Sequence, residues 1–258
     1  VGGLTVMRAL MKAMPDEDIV YFGDTARVPY GSKSKETIIH FSRQIVNFLR
    51  SRDVKAIVVA CNTASAYALD ELRASFDLPI EGVILPGAEA AVSATQNGRI
   101  GVIGTYATVQ SHAYDRAIHA HDPSLNLIKI ACPLFVPLVE EGLTSGEITE
   151  LIVAHYLEPL KVSEIDTLVL GCTHYPILKR TIGEVVGKDV KLINPAKETA
   201  LDLKDVLEKR DMMNDSDQKG SCKYFVSDIN EQFSKVASEF LKKKIKNENL
   251  EKVEIHKY

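Results

Sequence analysis

The chain carries cysteines at positions 61, 132, 172 and 222, and two of them sit in matching surroundings. Cys61 closes the run Lys55-Ala56-Ile57-Val58-Val59-Ala60 and is followed by Asn62-Thr63. Cys172 closes Asp166-Thr167-Leu168-Val169-Leu170-Gly171 and is followed by Thr173-His174. A lone cysteine at a strand end ordinarily acts as a small buried hydrophobe, and Cys132 and Cys222 are read that way. Cys61 and Cys172 differ because each ends an apolar strand-like run on a small residue and leads into hydrogen-bonding residues. Open α/β sheets bind ligands at such strand ends. Backbone N–H groups of the following turn can hold an anion there, and Ala64, Ser65 and Ala66 permit close approach. A thiol with an ordinary pKa of about 8.5 is expected to shift in that positive setting until thiol and thiolate are both accessible near neutral pH.

Two such thiols suit proton transfer. Inverting a carbon that bears one hydrogen requires a base on one face and an acid on the other, and a matched cysteine pair supplies both. Cys61 acts as thiolate base while Cys172 donates, and the roles reverse in the other direction. A cysteine hydrolase needs only one nucleophile, which leaves the second segment without a purpose. Neighbouring cysteines are separated by 71, 40 and 50 positions, so no C-x-x-C pair suggests a zinc knuckle. With no secretory signal read at the start, these few dispersed cysteines are expected to be free thiols in a reducing cytoplasm.

The elements that must position the pair alternate along the chain. Residues 19–22, 56–60, 100–103, 125–130, 168–170, 190–193 and 224–226 read as short strands separated by helical stretches, which predicts parallel sheets covered by helices. Lys35 to Arg52 follows a candidate N-cap, Ser34, and places Ile38, Phe41, Ile45, Phe48 and Leu49 at helical spacing. The similarity of the two Cys segments suggests two related lobes. Pro86-Gly87 is a candidate crossover and Asn194-Pro195 a candidate return, giving a first lobe of 1–86 plus 196–258 and a second of 87–195. Polar residues 210–220 read as a surface loop. Val1-Gly2-Gly3 leads straight into the helical pattern Leu4, Val6, Met7, Leu10, Met11, so a preceding strand is expected to be missing.

Bulk properties narrow the class. A 258-residue chain buries roughly 70 to 75% of its unfolded surface. Its 45% hydrophobic and 26% charged residues are ordinary for a globular protein. No apolar run approaches the roughly 20 residues of a membrane-spanning helix. A net charge of −4 argues against a general nucleic-acid binder. The basic cluster Lys242-Lys243-Lys244 with Lys246 reads as the solvated side of a terminal helix.

The chain resembles the glutamate racemase family. Ala60-Cys61-Asn62-Thr63-Ala64, Gly171-Cys172-Thr173-His174-Tyr175-Pro176 and Gly23-Asp24-Thr25-Ala26-Arg27-Val28-Pro29-Tyr30-Gly31-Ser32 match its signature segments in the family's order. The resemblance implies interconversion of L- and D-glutamate without pyridoxal phosphate or any other cofactor and without a metal. It also implies a supply of D-glutamate for peptidoglycan, a homodimer, and a pseudo-symmetric two-lobed α/β fold with the active site in the cleft. It assigns the catalytic pair to Cys61 and Cys172, and substrate contact to Tyr30, Gly31, Asn62, Thr63, Thr173 and His174, with Ser32 beside them. His174 is placed to assist Cys172 or polarise a carboxylate. Asp24 and Glu140 resemble polar residues near the family's cleft; otherwise Asp24 caps a turn and Glu140 is solvated. The family carries a strand ending in Asp-Ser-Gly before the segment that corresponds to Val1-Gly2-Gly3.

Two other readings stay open at this point. Related racemases act on aspartate or other acidic compounds, and one methylene of pocket size discriminates by only about 1 to 3 kcal/mol. A non-catalytic binding protein is the reading from a different class.

Overall fold

The computed structural model describes residues 1–258 except 217, 230, 243–244 and 246–248. Lys243, Lys244 and Lys246 of the basic cluster therefore lie outside the described residues.

The strands are β1 (Ile19–Gly23), β2 (Ile57–Val59), β3 (Ile80–Gly82), β4 (Arg99–Gly104), β5 (Asn126–Ala131), β6 (Thr167–Gly171), β7 (Lys191–Ile193), β8 (Cys222–Val226) and β9 (Leu250–Lys252). The helices between them are α1 (Leu4–Ala13), α2 (Lys35–Arg50), α3 (Asn62–Ser75), α4 (Ile84–Ala94), α5 (Tyr106–Gln110) and α6 (Ala113–His121). They continue with α7 (Phe135–Glu140), α8 (Glu147–Lys161), α9 (Lys179–Val186), α10 (Pro195–Lys209) and α11 (Glu231–Leu241).

Among the described residues the strands form three parallel groups, in the orders β5-β4-β6-β7, β1-β8-β9 and β2-β3. This is the mixed α/β architecture expected from the alternation of strand and helix signals. Parallel strands need crossover connections, and helices supply them, covering both sheet faces so that a central strand becomes apolar throughout. β6 shows that logic: every residue from Thr167 to Gly171 is buried.

Register brings the ends of neighbouring strands together. Gly104 at the end of β4 pairs with Gly171 at the end of β6 and with Ala131 at the end of β5. Thr105 and Cys172 therefore leave the sheet side by side. Gly171 is required by close approach, since a Cβ there would fall 2.7 Å from the Ile103 carbonyl oxygen. On the other group, β2 runs out through Ala60 into Cys61, which stands at the N-cap of α3 in extended conformation.

α2 begins where expected, with the Ser34 hydroxyl accepting from the Thr37 N–H at 3.3 Å. Its buried face is Ile38, Ser42, Val46 and Phe48. Phe41 lies outside that face and carries the Arg27 guanidinium 3.9 Å above its ring. Leu4 and Met7 of α1 enter the largest apolar cluster together with Ile103, Leu170, Cys172, Val226 and Phe240. That cluster ties β4, β6, β8 and α11 behind the strand ends.

Candidate active site

Each cysteine is held at the outlet of a strand. The Cys61 carbonyl accepts from Ser65 N–H at 2.8 Å, closing the first turn of α3. Its thiol faces the backbone N–H groups of Thr63 and Ala64 and the Thr63 hydroxyl, which favour the thiolate. Burial outweighs these donors and raises the thiol pKa above its usual value. Cys172 is buried, and its carbonyl accepts from Tyr175 N–H at 3.1 Å. Burial pushes its pKa up to about 12, with negative charge on Cys61 and Glu140 adding to the rise and the His174 N–H opposing it. The expected shift toward neutrality is thus reversed in the free protein. Desolvation of an anion in a closed site is a larger effect than two or three N–H dipoles.

A chain of groups leads away from Cys172. Its sulfur lies 3.8 Å from His174 Nδ1, and His174 Nε2 lies 3.1 Å from Glu140 Oε1. The imidazole packs edge-on against Phe240, with ring centroids 5.5 Å apart. Burial lowers the His174 pKa while Glu140 works against that fall. The hydrogen bond to His174 holds the Glu140 carboxyl below the usual carboxylate range.

The Cys61 side meets residues from β4 and the helices after it. Thr63 Oγ1 lies 2.9 Å from Thr105 Oγ1 and 3.2 Å from Thr108 Oγ1. The Tyr114 hydroxyl donates to Asn62 Oδ1 at 2.8 Å in a fully buried bond. A Cβ on Gly31 would fall 2.9 Å from Thr105 Cβ, so the 3₁₀ turn Tyr30–Ser32 closes directly over Thr105. A cavity of about 10 Å³, the size of one water, is lined by Asn62, Cys172, Thr173 and Asn194 among others. Asn62 thus meets Cys172 and Thr173 around a common space. A Cβ on Gly2 would strike Thr173 Oγ1 at 2.0 Å, which seats Gly2 against the Cys172 turn.

Asp24 has a different setting. Its carboxylate accepts from Arg27 Nε at 3.0 and 2.9 Å, from the Ser227 hydroxyl at 2.9 Å, and from the Tyr30 hydroxyl. These bonds make it the anchor of the segment that ends in the Tyr30–Ser32 turn. Ser32 itself is exposed. Of the remaining cysteines, Cys132 is buried at the end of β5, and Cys222 is half-buried at the start of β8.

Thr105, Thr108 and Tyr114 were not singled out by the sequence reading. A signal for the first existed: Ile100 to Ile103 is a predicted strand, and the residue after Gly104 leaves it at the same sheet edge as Cys172. Tyr114 carried no such signal, because only the tertiary fold brings α6 against Asn62.

A family model described as Asp/Glu/Hydantoin racemase matches residues 4–203, and the chain belongs to that family. It is an isomerase, and curated relatives at 45–50% identity are glutamate racemases. One from Geobacter metallireducens is 50% identical over 241 residues, covering 93% of this chain and 89% of that protein. One from Streptococcus pneumoniae is 45% identical over 253 residues, covering 97% of this chain and 95% of that protein. The crystal structure of glutamate racemase from Francisella tularensis in complex with D-glutamate superposes with a TM-score of 0.93 at 39% identity, covering 100% of this chain and 96% of that one.

Proposed function

We propose that this chain interconverts L- and D-glutamate with Cys61 and Cys172 as the paired base and acid, without cofactor, and so supplies D-glutamate for peptidoglycan. The observation that carries the reading is the pair of thiols at two parallel-strand ends, near enough that negative charge on Cys61 acts on Cys172, with Asn62, Thr63, Thr173 and His174 beside them in the chain. In this reading residues 1–86 with 196–258 form one lobe and 87–195 the other, and the enzyme works as a cytoplasmic homodimer. Among the described residues no helix is long and apolar enough to cross a membrane.

The raised thiol pKa values fit the task. The α-hydrogen of an amino acid is a very weak acid, and a thiolate that burial makes more basic is better matched to remove it. One thiolate and one thiol are needed at a time. Cys61 as thiolate is supported by the Thr63 and Ala64 N–H groups, and Cys172 exchanges its proton beside the His174 ring. The substrate carboxylates are bound by N–H groups and hydroxyls of Asn62, Thr63, Thr173 and the Tyr30–Ser32 turn.

The test is incubation with L- or D-glutamate in heavy water, following chirality and α-deuterium by NMR. Inversion with incorporation of solvent deuterium is expected, lost in Cys61→Ala and in Cys172→Ala. Full inversion retained in either variant rejects the two-thiol mechanism. Inversion of aspartate in preference to glutamate rejects the substrate, and neither exchange nor inversion leaves a binding protein.

A further inference from the structure

Tyr114 reaches both cysteine segments at once. It is 2% exposed and stands in the first turn of α6. Its hydroxyl donates to Oδ1 of Asn62, the residue after Cys61, at 2.8 Å. Its ring lies against Gly171, the residue before Cys172: a Cβ there would come within 3.2 Å of Tyr114 Cε2. A Cβ on Gly87, near the crossover between the strand groups, would fall 3.3 Å from the Tyr114 hydroxyl oxygen. Burial, with negative charge on Cys172 adding to it, keeps the phenol protonated, so the hydroxyl remains a donor.

A side-chain amide has one acceptor end and one donor end. With Oδ1 taken by Tyr114, the end that Asn62 has left to offer is its N–H₂ group, the right polarity for a carboxylate. Asn62 is itself 4% exposed, so an amide without this bond would lose an oriented donor and leave a buried oxygen unsatisfied.

We propose that Tyr114 is a positioning residue, which fixes the Asn62 amide with its N–H₂ toward the substrate carboxylate and joins the Cys61 segment to the Cys172 segment. The inference rests on the reading of this site as a two-cysteine glutamate racemase.

The experiment is a double-mutant cycle of Tyr114→Phe with Asn62→Ala, read by glutamate racemisation kinetics and near-UV circular dichroism. Tyr114→Phe keeps the ring and removes the hydroxyl, and kcat/KM is expected to fall about tenfold to a hundredfold, mostly as a rise in KM. Because the effect passes through Asn62, adding Tyr114→Phe to Asn62→Ala is expected to cost nothing further. Unchanged kinetics in Tyr114→Phe, or costs that add in the double variant, overturn the proposal; additive costs mark a purely structural role. If Tyr114→Phe does not fold, Tyr114→Met fills the same space without a hydroxyl, and the cycle is judged by the same outcomes. A wild-type protein that leaves glutamate unchanged overturns the proposed function itself and is recognised before any variant is compared.

Discussion

Nε2 of His174 lies 3.1 Å from Oε1 of Glu140, on the ring edge opposite the one that faces the Cys172 sulfur. The two pKa directions assign the protons. His174 is held down by burial and Glu140 by its hydrogen bond, so a neutral imidazole meets a carboxylate. The carboxylate can only accept, so Nε2 carries the proton and Nδ1 presents a lone pair to the thiol.

Glu140→Gln removes the negative charge and keeps the shape. Without that charge the His174 pKa falls further, because Glu140 was opposing the effect of burial. The Cys172 pKa falls as well, because the carboxylate was helping to raise it. Both limbs of the pH profile of kcat/KM are expected to move to lower pH, with a loss of about tenfold to a hundredfold at the optimum. A profile that keeps its wild-type limbs would show that Glu140 has no part in tuning this pair.

The thiols make a second prediction. With its pKa pushed to about 12, Cys172 in the free protein at pH 7.5 holds a thiolate fraction on the order of 10⁻⁴ or less. Alkylation by iodoacetamide, which follows the thiolate, is expected about a thousandfold slower than at an ordinary exposed cysteine. The rate should rise about tenfold per pH unit through pH 10, since the titration lies above that range. Peptide mapping by mass spectrometry reads the rate at each cysteine. A plateau below pH 9 at Cys172 contradicts the strong desolvation argued for it.

How much of this was legible in the sequence follows from range. The longer strands and α2 were readable because Ile100 to Ile103 and Leu168 to Leu170 are short β-rich apolar runs, and Ile38 to Phe48 repeats on the period of a helix. β3 and β9 were missed because each has three residues, too few for a period, with Glu81 in the middle of one and Glu251 in the other. The Cys61 and Cys172 segments showed themselves because thiol, small residue and polar follower are contiguous. The Thr63–Thr105 and Asn62–Tyr114 bonds span 42 and 52 positions, and no local pattern encodes partners at such separations. The thiol pKa shift was misjudged for the same reason: N–H donors next in sequence were visible, whereas the packing that desolvates the sulfur was not.

Asp24 is the residue whose role changes most on this geometry. Its carboxylate is occupied by Arg27, Ser227 and the Tyr30 hydroxyl, so it acts on the site through the turn it holds. Asp24→Asn leaves the guanidinium without its anion and weakens the hold on Tyr30. Stability is expected to fall by about 1 to 3 kcal/mol, with KM rising more than kcat falls, as thermal unfolding and steady-state kinetics would read. A collapse of kcat at unchanged KM and Tm would instead make Asp24 a direct participant in proton transfer.

Gly31 tests the closeness of the turn to the threonine cluster. A methyl group there would lie 2.9 Å from Thr105 Cβ, closer than real Cβ contacts come, and a tight 3.0 Å from Thr105 Cγ2. Thr105 cannot swing away cheaply, because its hydroxyl caps α5 at Thr108 N–H and bonds Thr63 Oγ1 at 2.9 Å. Gly31→Ala must therefore displace either the Tyr30–Ser32 turn or the Thr63 hydroxyl. Overpacking of this kind costs about 1 to 3 kcal/mol. Because the displaced groups belong to the substrate site proposed above, KM for glutamate is expected to rise at least tenfold. Thr105→Gly removes both atoms that the methyl would strike and keeps an acceptable N-cap, so in the double variant part of the lost affinity should return. A Gly31→Ala protein with wild-type KM would mean that the turn stands off from Thr105 when substrate is bound.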